Sequence, residues 1–98
     1  MNKSAIIPIL ERISANKDGN NLTHSKVRVL AYGILFILDD IIDIASQHRE
    51  EIEAFLKMLT KFGIPHHARC YLAHEALALV KKDDGTKKFM GSTSPTNF

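Results

Sequence analysis

Hydrophobic residues recur along this chain at the three- and four-residue spacing that is typical of amphipathic α-helices. This spacing predicts helices over residues 4–15, 25–46, about 50–62 and 65–82. The alternation of single polar and apolar residues that indicates β-strands does not persist in any segment. Amphipathic helices with short connections favour an all-α fold, and we predict a small antiparallel bundle of about four helices.

Polar and helix-breaking residues mark the ends of these predicted helices. Residues 16–21 are predicted to form a loop, and Thr23 or Ser25 can cap the second helix by accepting a hydrogen bond from a free backbone N–H. Gly63 and Pro65 separate the third helix from the fourth. Residues 83–98 are rich in Gly, Ser, Thr, Lys and Pro, so we expect a disordered polar tail after a helical domain over residues 1–82.

The predicted second helix carries an apolar face that is broader than a surface helix needs. With about 100° between successive residues, this face covers an arc of about 180°. We therefore predict that the other helices pack around this one, and that Gly33 marks a close contact with a neighbouring helix. The residues of the broad face are Val27, Leu30, Ala31, Ile34, Leu35, Ile37, Leu38, Ile41, Ile42, Ile44 and Ala45.

A second stripe of side chains follows the opposite side of the same predicted helix. Val29, Tyr32 and Phe36 form its apolar part, and Asp39 and Asp43 continue the line as an acidic part. An apolar stripe outside the core face needs a cover, because large exposed apolar patches mark interaction sites.

Three interpretations of this stripe remain open. The first or the fourth helix of the same chain can cover it. Two copies can cross antiparallel near Phe36, which brings Arg28 of one copy towards Asp43 of the other and buries the aromatic side chains, as a two-fold interface requires. A different protein can also supply the apolar and basic groups that the stripe needs.

The charge distribution argues against nucleic-acid binding by the folded body. The net charge is +2, yet residues 1–80 contain nine basic and nine acidic side chains, which sum to zero. Domains that hold nucleic acid normally show a basic patch. No apolar run is long enough to span a membrane. A single cysteine cannot form an internal disulfide, which fits a reducing compartment, and we expect a cytoplasmic protein.

The segment from Asp39 to Asp43, with the sequence DDIID, resembles the first aspartate-rich motif of the polyprenyl diphosphate synthases. In that family such carboxylates hold magnesium and a diphosphate. Those enzymes are several times longer and carry a second aspartate-rich segment, which this sequence lacks. The sequence therefore favours a solvated or partner-facing acidic patch over an enzyme of this family.

His66, Cys70 and His74 follow one side of the predicted fourth helix at intervals of four residues. Imidazole and thiolate are good zinc ligands, so these three residues are the candidate metal ligands. Structural zinc sites normally pair ligands at short range in two places, and Leu77 extends the same line as part of a half-buried face. We therefore expect a structural cysteine beside surface histidines, with neither a metal ion nor another cofactor.

No set of residues in the sequence forms a recognisable catalytic arrangement, since the cysteine has no accompanying oxyanion donors. We expect a non-enzymatic interaction protein, a regulator, inhibitor or adaptor that docks a helix face onto a protein partner, most simply as a homodimer. The alternative is a metal-dependent or nucleic-acid-associated helical module. The predicted partner-binding residues are Arg28, Val29, Tyr32, Phe36, Asp39 and Asp43.

Overall fold

The computed structural model of this chain describes residues 1–82, and within them the regular structure is entirely helical. The predicted all-α fold of four helices is thereby confirmed, while the predicted tail over residues 83–98 lies outside the described residues. In chain order the elements are a 3-10 turn at Lys3–Ala5, α1 at Ile7–Ser14, α2 at His24–Ile37, a second 3-10 turn at Leu38–Asp40, α3 at Ser46–Leu59 and α4 at His66–Lys81.

The loop between α1 and α2 is organised by the buried side chain of Asn16. Its Nδ2 donates to the carbonyl of Leu22 at 2.9 Å, and its Oδ1 accepts from the backbone N–H groups of Asn21 and Leu22, each at 3.0 Å. The cap of α2 is Thr23, whose Oγ1 accepts from the N–H of Lys26 at 3.1 Å. Asn16 therefore sets the conformation from which α2 starts, because it satisfies polar groups that would otherwise be buried without partners.

The predicted extent of the second helix was wrong, because α2 ends at Ile37 rather than near residue 46. A 3-10 turn at Leu38–Asp40 and a non-helical connection over residues 41–45 follow, and α3 begins at Ser46, about one turn earlier than predicted. Aspartate favours turns over helix interiors, and the three aspartates between residues 39 and 43 lower the helix propensity of this segment.

Competing hydrogen bonds explain why the helix does not continue. In a longer helix the carbonyl of Leu38 would accept from the N–H of Ile42. That carbonyl instead accepts from the N–H of Ile41 at 3.2 Å and from Nη1 of Arg49 at 2.9 Å. The N–H of Ile42 donates to the carbonyl of Met1 at 3.0 Å. Arg49 also donates through Nη2 to the carbonyl of Ile41, so one side chain on α3 closes the end of α2.

The centre of the fold is α4, and not the second helix as the sequence predicted. Helix α4 packs against both α1 and α3, whereas α2 packs mainly against α3 and so lies at the edge of the molecule. The fully buried Ala73 and Ala76 leave room on α4 for close neighbours. Gly33 has no other group within 4 Å of the position where a Cβ would stand, so it does not mark a helix contact within the described residues.

The second helix was predicted to be the centre of the fold because of its broad apolar arc. Part of the segment that carries this arc is not helical. Val27, Ala31 and Ile34 are buried as predicted, but Ile41 and Ile44 enter the core from the connection after α2. Ile42 was predicted to be in the core and is 78% exposed.

Candidate functional site

The outer face of α2 is apolar and open to solvent. Val29, Tyr32 and Phe36 are 63%, 54% and 88% exposed, and Gly33 lies among them with open space above it. We call these four residues the α2 face. No helix within residues 1–82 covers it, so the interpretation in which the chain covers its own stripe is wrong for the described residues.

Charged residues stand at the two ends of the α2 face. Lys26 is exposed at the start of α2, and Asp39 and Asp40 are exposed in the turn that follows the helix. None of the three forms an ion pair within residues 1–82. Asp43 was predicted to continue the face, but it lies in the connection beyond the helix, where its Oδ1 accepts from the backbone N–H of Lys3 at 2.7 Å.

Arg28 was predicted to orient a partner, and the structure gives it a different environment. Its Nε donates to the carbonyl of Thr60 at 2.8 Å, and its guanidinium carbon lies 3.6 Å from the centre of the Phe62 ring. Arg28 is half-buried against the end of α3 and is directed away from the α2 face. The structure thus brings Val29, Tyr32 and Phe36 together and separates Arg28 from them.

A cavity that the sequence analysis missed lies where α2 and α4 begin. It is open to solvent, and its volume of about 400 Å³ lies between His24 and Ser25, the connection over residues 62–65, and the two arginines Arg28 and Arg69. The only sequence signal for it is that His24 and His66 each begin a helix, directly after Thr23 and Pro65. Their meeting in space depends on the packing of α2 and α4, which residue spacing alone does not reveal.

Arg69 is buried at 2% exposure, and within residues 1–82 its guanidinium bonds only to neutral groups. Its Nη1 donates to the carbonyl of Leu59, and its Nη2 donates to the carbonyl of Lys61 at 2.8 Å. Its Nε donates to Nδ1 of His24 at 3.1 Å. Because Nδ1 accepts this bond, the His24 ring is neutral and carries its proton on Nε2.

Two imidazole rings stack beside this arginine. The ring centres of His24 and His66 lie 3.6 Å apart with 14° between the ring planes, and a Cβ at Gly19 would come within 2.5 Å of the His66 ring. Loss of water around the His24 ring lowers its pKa, and the positive charges of His66 and Arg69 lower it further. Burial lowers the pKa of Arg69, and the charge of Arg28 adds to that effect.

The structure does not assemble the candidate metal ligands His66, Cys70 and His74. His66 stacks on His24, the Cys70 thiol donates to the carbonyl of Ser14, and His74 is exposed. A second, open cavity of about 480 Å³ borders Cys70 and His74 but not His66. Within residues 1–82 no group of three or more His, Cys, Asp or Glu side chains is placed so that it could hold a metal ion.

Comparisons with known proteins assign this chain to no family, so a function can be inferred only from its own residues and geometry. Among residues 1–82, none of the helices combines the length and apolar character that crossing a membrane requires. No protein-family model matches the chain, and neither the curated proteins nor the solved structures contain a significant match to it.

Proposed function

We propose that this chain is a non-enzymatic interaction protein, a regulator, inhibitor or adaptor, that works by docking its α2 face, and that the occupant of this face is a second copy of the chain. The observation that carries the proposal is Phe36, which is 88% exposed at the C-terminal end of the uncharged α2 face. Contiguous exposed apolar groups of this kind mark protein interaction sites in soluble domains.

The position of α2 supports docking without rearrangement. Helix α2 packs mainly against α3, so its outer face can meet another surface while its inner face stays in the core. Gly33 adds no side chain at the middle of the face, and the space above it is open. A second helix can therefore approach the α2 backbone closely.

The charges at the ends of the face favour a second copy as the occupant. In an antiparallel pair with its two-fold axis between Tyr32 and Gly33, Val29 of each copy lies opposite Phe36 of the other. The same register places Lys26 of one copy near Asp39 and Asp40 of the other, and none of these residues forms an ion pair within residues 1–82. In this pair the apolar centre of one copy thus meets the apolar centre of the other, and the basic end of each copy meets the acidic end of its partner.

The test is the solution mass of the protein by light scattering, measured together with circular dichroism. We expect a dimer for the natural sequence and a folded monomer for Phe36→Asp, because the buried carboxylate would have no partner in the interface. Ile42→Asp is the matched control: it places the same charge at another widely exposed apolar site outside the face, 78% against 88% exposed, and should stay dimeric. Leu38→Asp, at a site that is 4% exposed, should unfold.

A charge exchange tests the register independently. Lys26→Glu should weaken the dimer by roughly five- to thirty-fold, because about 0.5–1 kcal/mol is lost at each of two symmetric ion pairs. Adding Asp39→Lys and Asp40→Lys to the same chain should restore the affinity. A natural sequence that stays monomeric at high concentration would contradict the homodimer. A Phe36→Asp variant that unfolds would place the α2 face in the core and contradict docking altogether.

The cysteine supports the proposed cytoplasmic location. Cys70 is buried and unpaired, and thiols persist in reducing compartments. No observation within residues 1–82 favours the metal-dependent alternative, since the candidate ligands lie apart.

A further inference from the structure

The cavity between the starts of α2 and α4 has a strongly one-sided charge. Arg28 and Arg69 both border it, and among the described residues neither Asp nor Glu occurs in its lining. The remaining walls are the neutral His24, Ser25 and the connection over residues 62–65. A concave site that carries two guanidinium groups without a carboxylate is complementary to an anion.

The burial of Arg69 makes this charge imbalance costly. A cation removed from water needs an anionic partner or a complete set of acceptors. Arg69 is 2% exposed and forms no ion pair within residues 1–82. The carbonyls of Leu59 and Lys61 and Nδ1 of His24 accept from the three nitrogens of the guanidinium, but none of these acceptors carries a net negative charge.

The second arginine still has hydrogen-bond donors to offer. Only Nε of Arg28 is used, in the bond to the carbonyl of Thr60, so both Nη groups have no hydrogen-bond partner within the described residues. The stacked ring of Phe62 holds the guanidinium at the cavity wall. Guanidinium groups of this kind bind phosphate oxygens in pairs, which makes phosphate the anion that they fit best.

The volume and the remaining walls suggest more than a bare ion. A space of about 400 Å³ exceeds the needs of inorganic phosphate and falls in the range of small-molecule sites. Phe62, Ile64 and Pro65 add apolar surface beside the arginines. The backbone N–H of Ser25, in the first turn of α2, has no partner within the helix and lies at its positive end.

We infer that this cavity binds a small phosphate monoester, with the free Nη donors of Arg28 and the buried charge of Arg69 holding the phosphate and the residue 62–65 connection contacting the organic part. This site is separate from the α2 face, because Arg28 and His24 do not belong to that face. The competing explanation is that Arg28 and Arg69 only satisfy the carbonyls at the end of α3.

The experiment is an NMR titration of the full chain with phenyl phosphate and with inorganic phosphate, against sodium chloride of equal ionic strength. We expect saturable shifts that centre on the amides of Ser25, Gly63 and Ile64, with tighter binding of phenyl phosphate than of inorganic phosphate. Shifts that grow without saturation, or that chloride reproduces, would overturn the site. Equal affinity for the two phosphates would overturn the role assigned to the apolar walls.

Matched variants separate binding from general charge effects. Arg28→Gln should weaken phosphate binding about ten-fold or more, because charge-assisted hydrogen bonds are lost. Arg12→Gln makes the same change at an exposed site on α1 outside the cavity and should leave the affinity unchanged. Equal losses in both variants would overturn the proposal. If Arg28→Gln does not fold, Arg28→Lys keeps the charge and removes the paired donors, and unchanged affinity in that variant would contradict the proposed role of Arg28.

Discussion

At the scale of single residues, three arginines connect the helices of this fold. Arg28 and Arg69 donate to carbonyls at the end of α3, and Arg49 donates to two carbonyls after α2. The last carbonyls of a helix lack partners within the helix, and a guanidinium with several N–H groups can serve more than one of them. The sequence predicts the charge of these arginines but not their acceptors, because each acceptor lies outside the helix that carries the arginine.

His24 should make the stability of the fold depend on pH. Its pKa in the folded protein lies below the ordinary value, first because water is lost around the ring and then because of the positive charges of His66 and Arg69. The unfolded chain therefore binds more protons, so stability is fully present above pH 6.5 or so and is lost as the pH falls below that value towards the folded pKa. Protonation also puts a proton on Nδ1, which then cannot accept from Arg69.

Urea unfolding at about pH 7.5 and about pH 5.5, on either side of the unfolded histidine pKa, measures this effect. The natural sequence should lose more stability on acidification than His24→Gln, in which the titrating ring is absent. His74→Gln is the control, because it removes an exposed imidazole outside the stack. Equal losses in the natural sequence and in His24→Gln would show that the stack does not couple protonation to folding.

At the scale of elements, periodicity predicted the existence of all four helices but not where α2 ends. The isoleucines at positions 41 and 44 were correctly predicted to be buried, although they reach the core from a connection and not from a helix. Two kinds of hydrogen bond end α2. One joins Ile42 to Met1, which is distant in sequence, and the others come from Arg49, which lies on α3. The local spacing of hydrophobic residues does not indicate these bonds, so it could not predict where α2 ends.

Gly33 gives a prediction that concerns α2 alone. Glycine inside a helix costs about 0.5–1 kcal/mol relative to alanine, and a methyl group at this position meets nothing within 4 Å. Gly33→Ala should therefore raise the free energy of unfolding by about that amount. The measurement is urea unfolding in the Phe36→Asp background, where we expect association not to contribute. A loss of stability would mean that Gly33 has a neighbour in the folded monomer.

At the scale of the whole molecule, the arrangement of helices was less predictable than the helices themselves. The sequence predicted α2 as the centre because of its wide apolar arc, whereas α4 holds that position. Buried alanines such as Ala73 and Ala76 allow close neighbours on α4, yet an alanine in a sequence does not indicate burial. The grouping of Val29, Tyr32 and Phe36 on one side of α2 could be predicted because it depends on one helix only, whereas their exposure depends on how the other helices pack.

The edge position of α2 should appear in native-state hydrogen exchange. Local opening is easiest where an element has few neighbours, so amides of α2 should exchange before those of the central α4 in the Phe36→Asp variant. In the natural sequence, protection of α2 should rise with protein concentration if the α2 face is an interface, while α4 serves as the internal reference. Equal exchange of both helices in the variant would contradict the view that α2 is the more weakly held element.

The contact between Cys70 and Ser14 provides a built-in reporter of how the molecule opens. The chain has one cysteine, and its buried thiol donates to the last residue of α1 from the central helix α4. Cys70 is 8% exposed beside an open cavity, and its thiol is held against the end of α1 by the bond to Ser14, so we expect a thiol-reactive dye to attach to the thiolate mainly when α1 separates from α4. The rate of labelling in the unmodified protein therefore reads out the separation of this helix pair, without an introduced probe. Comparison with the exchange of α2 amides would show whether the edge helix and the α1–α4 pair come apart together or in sequence.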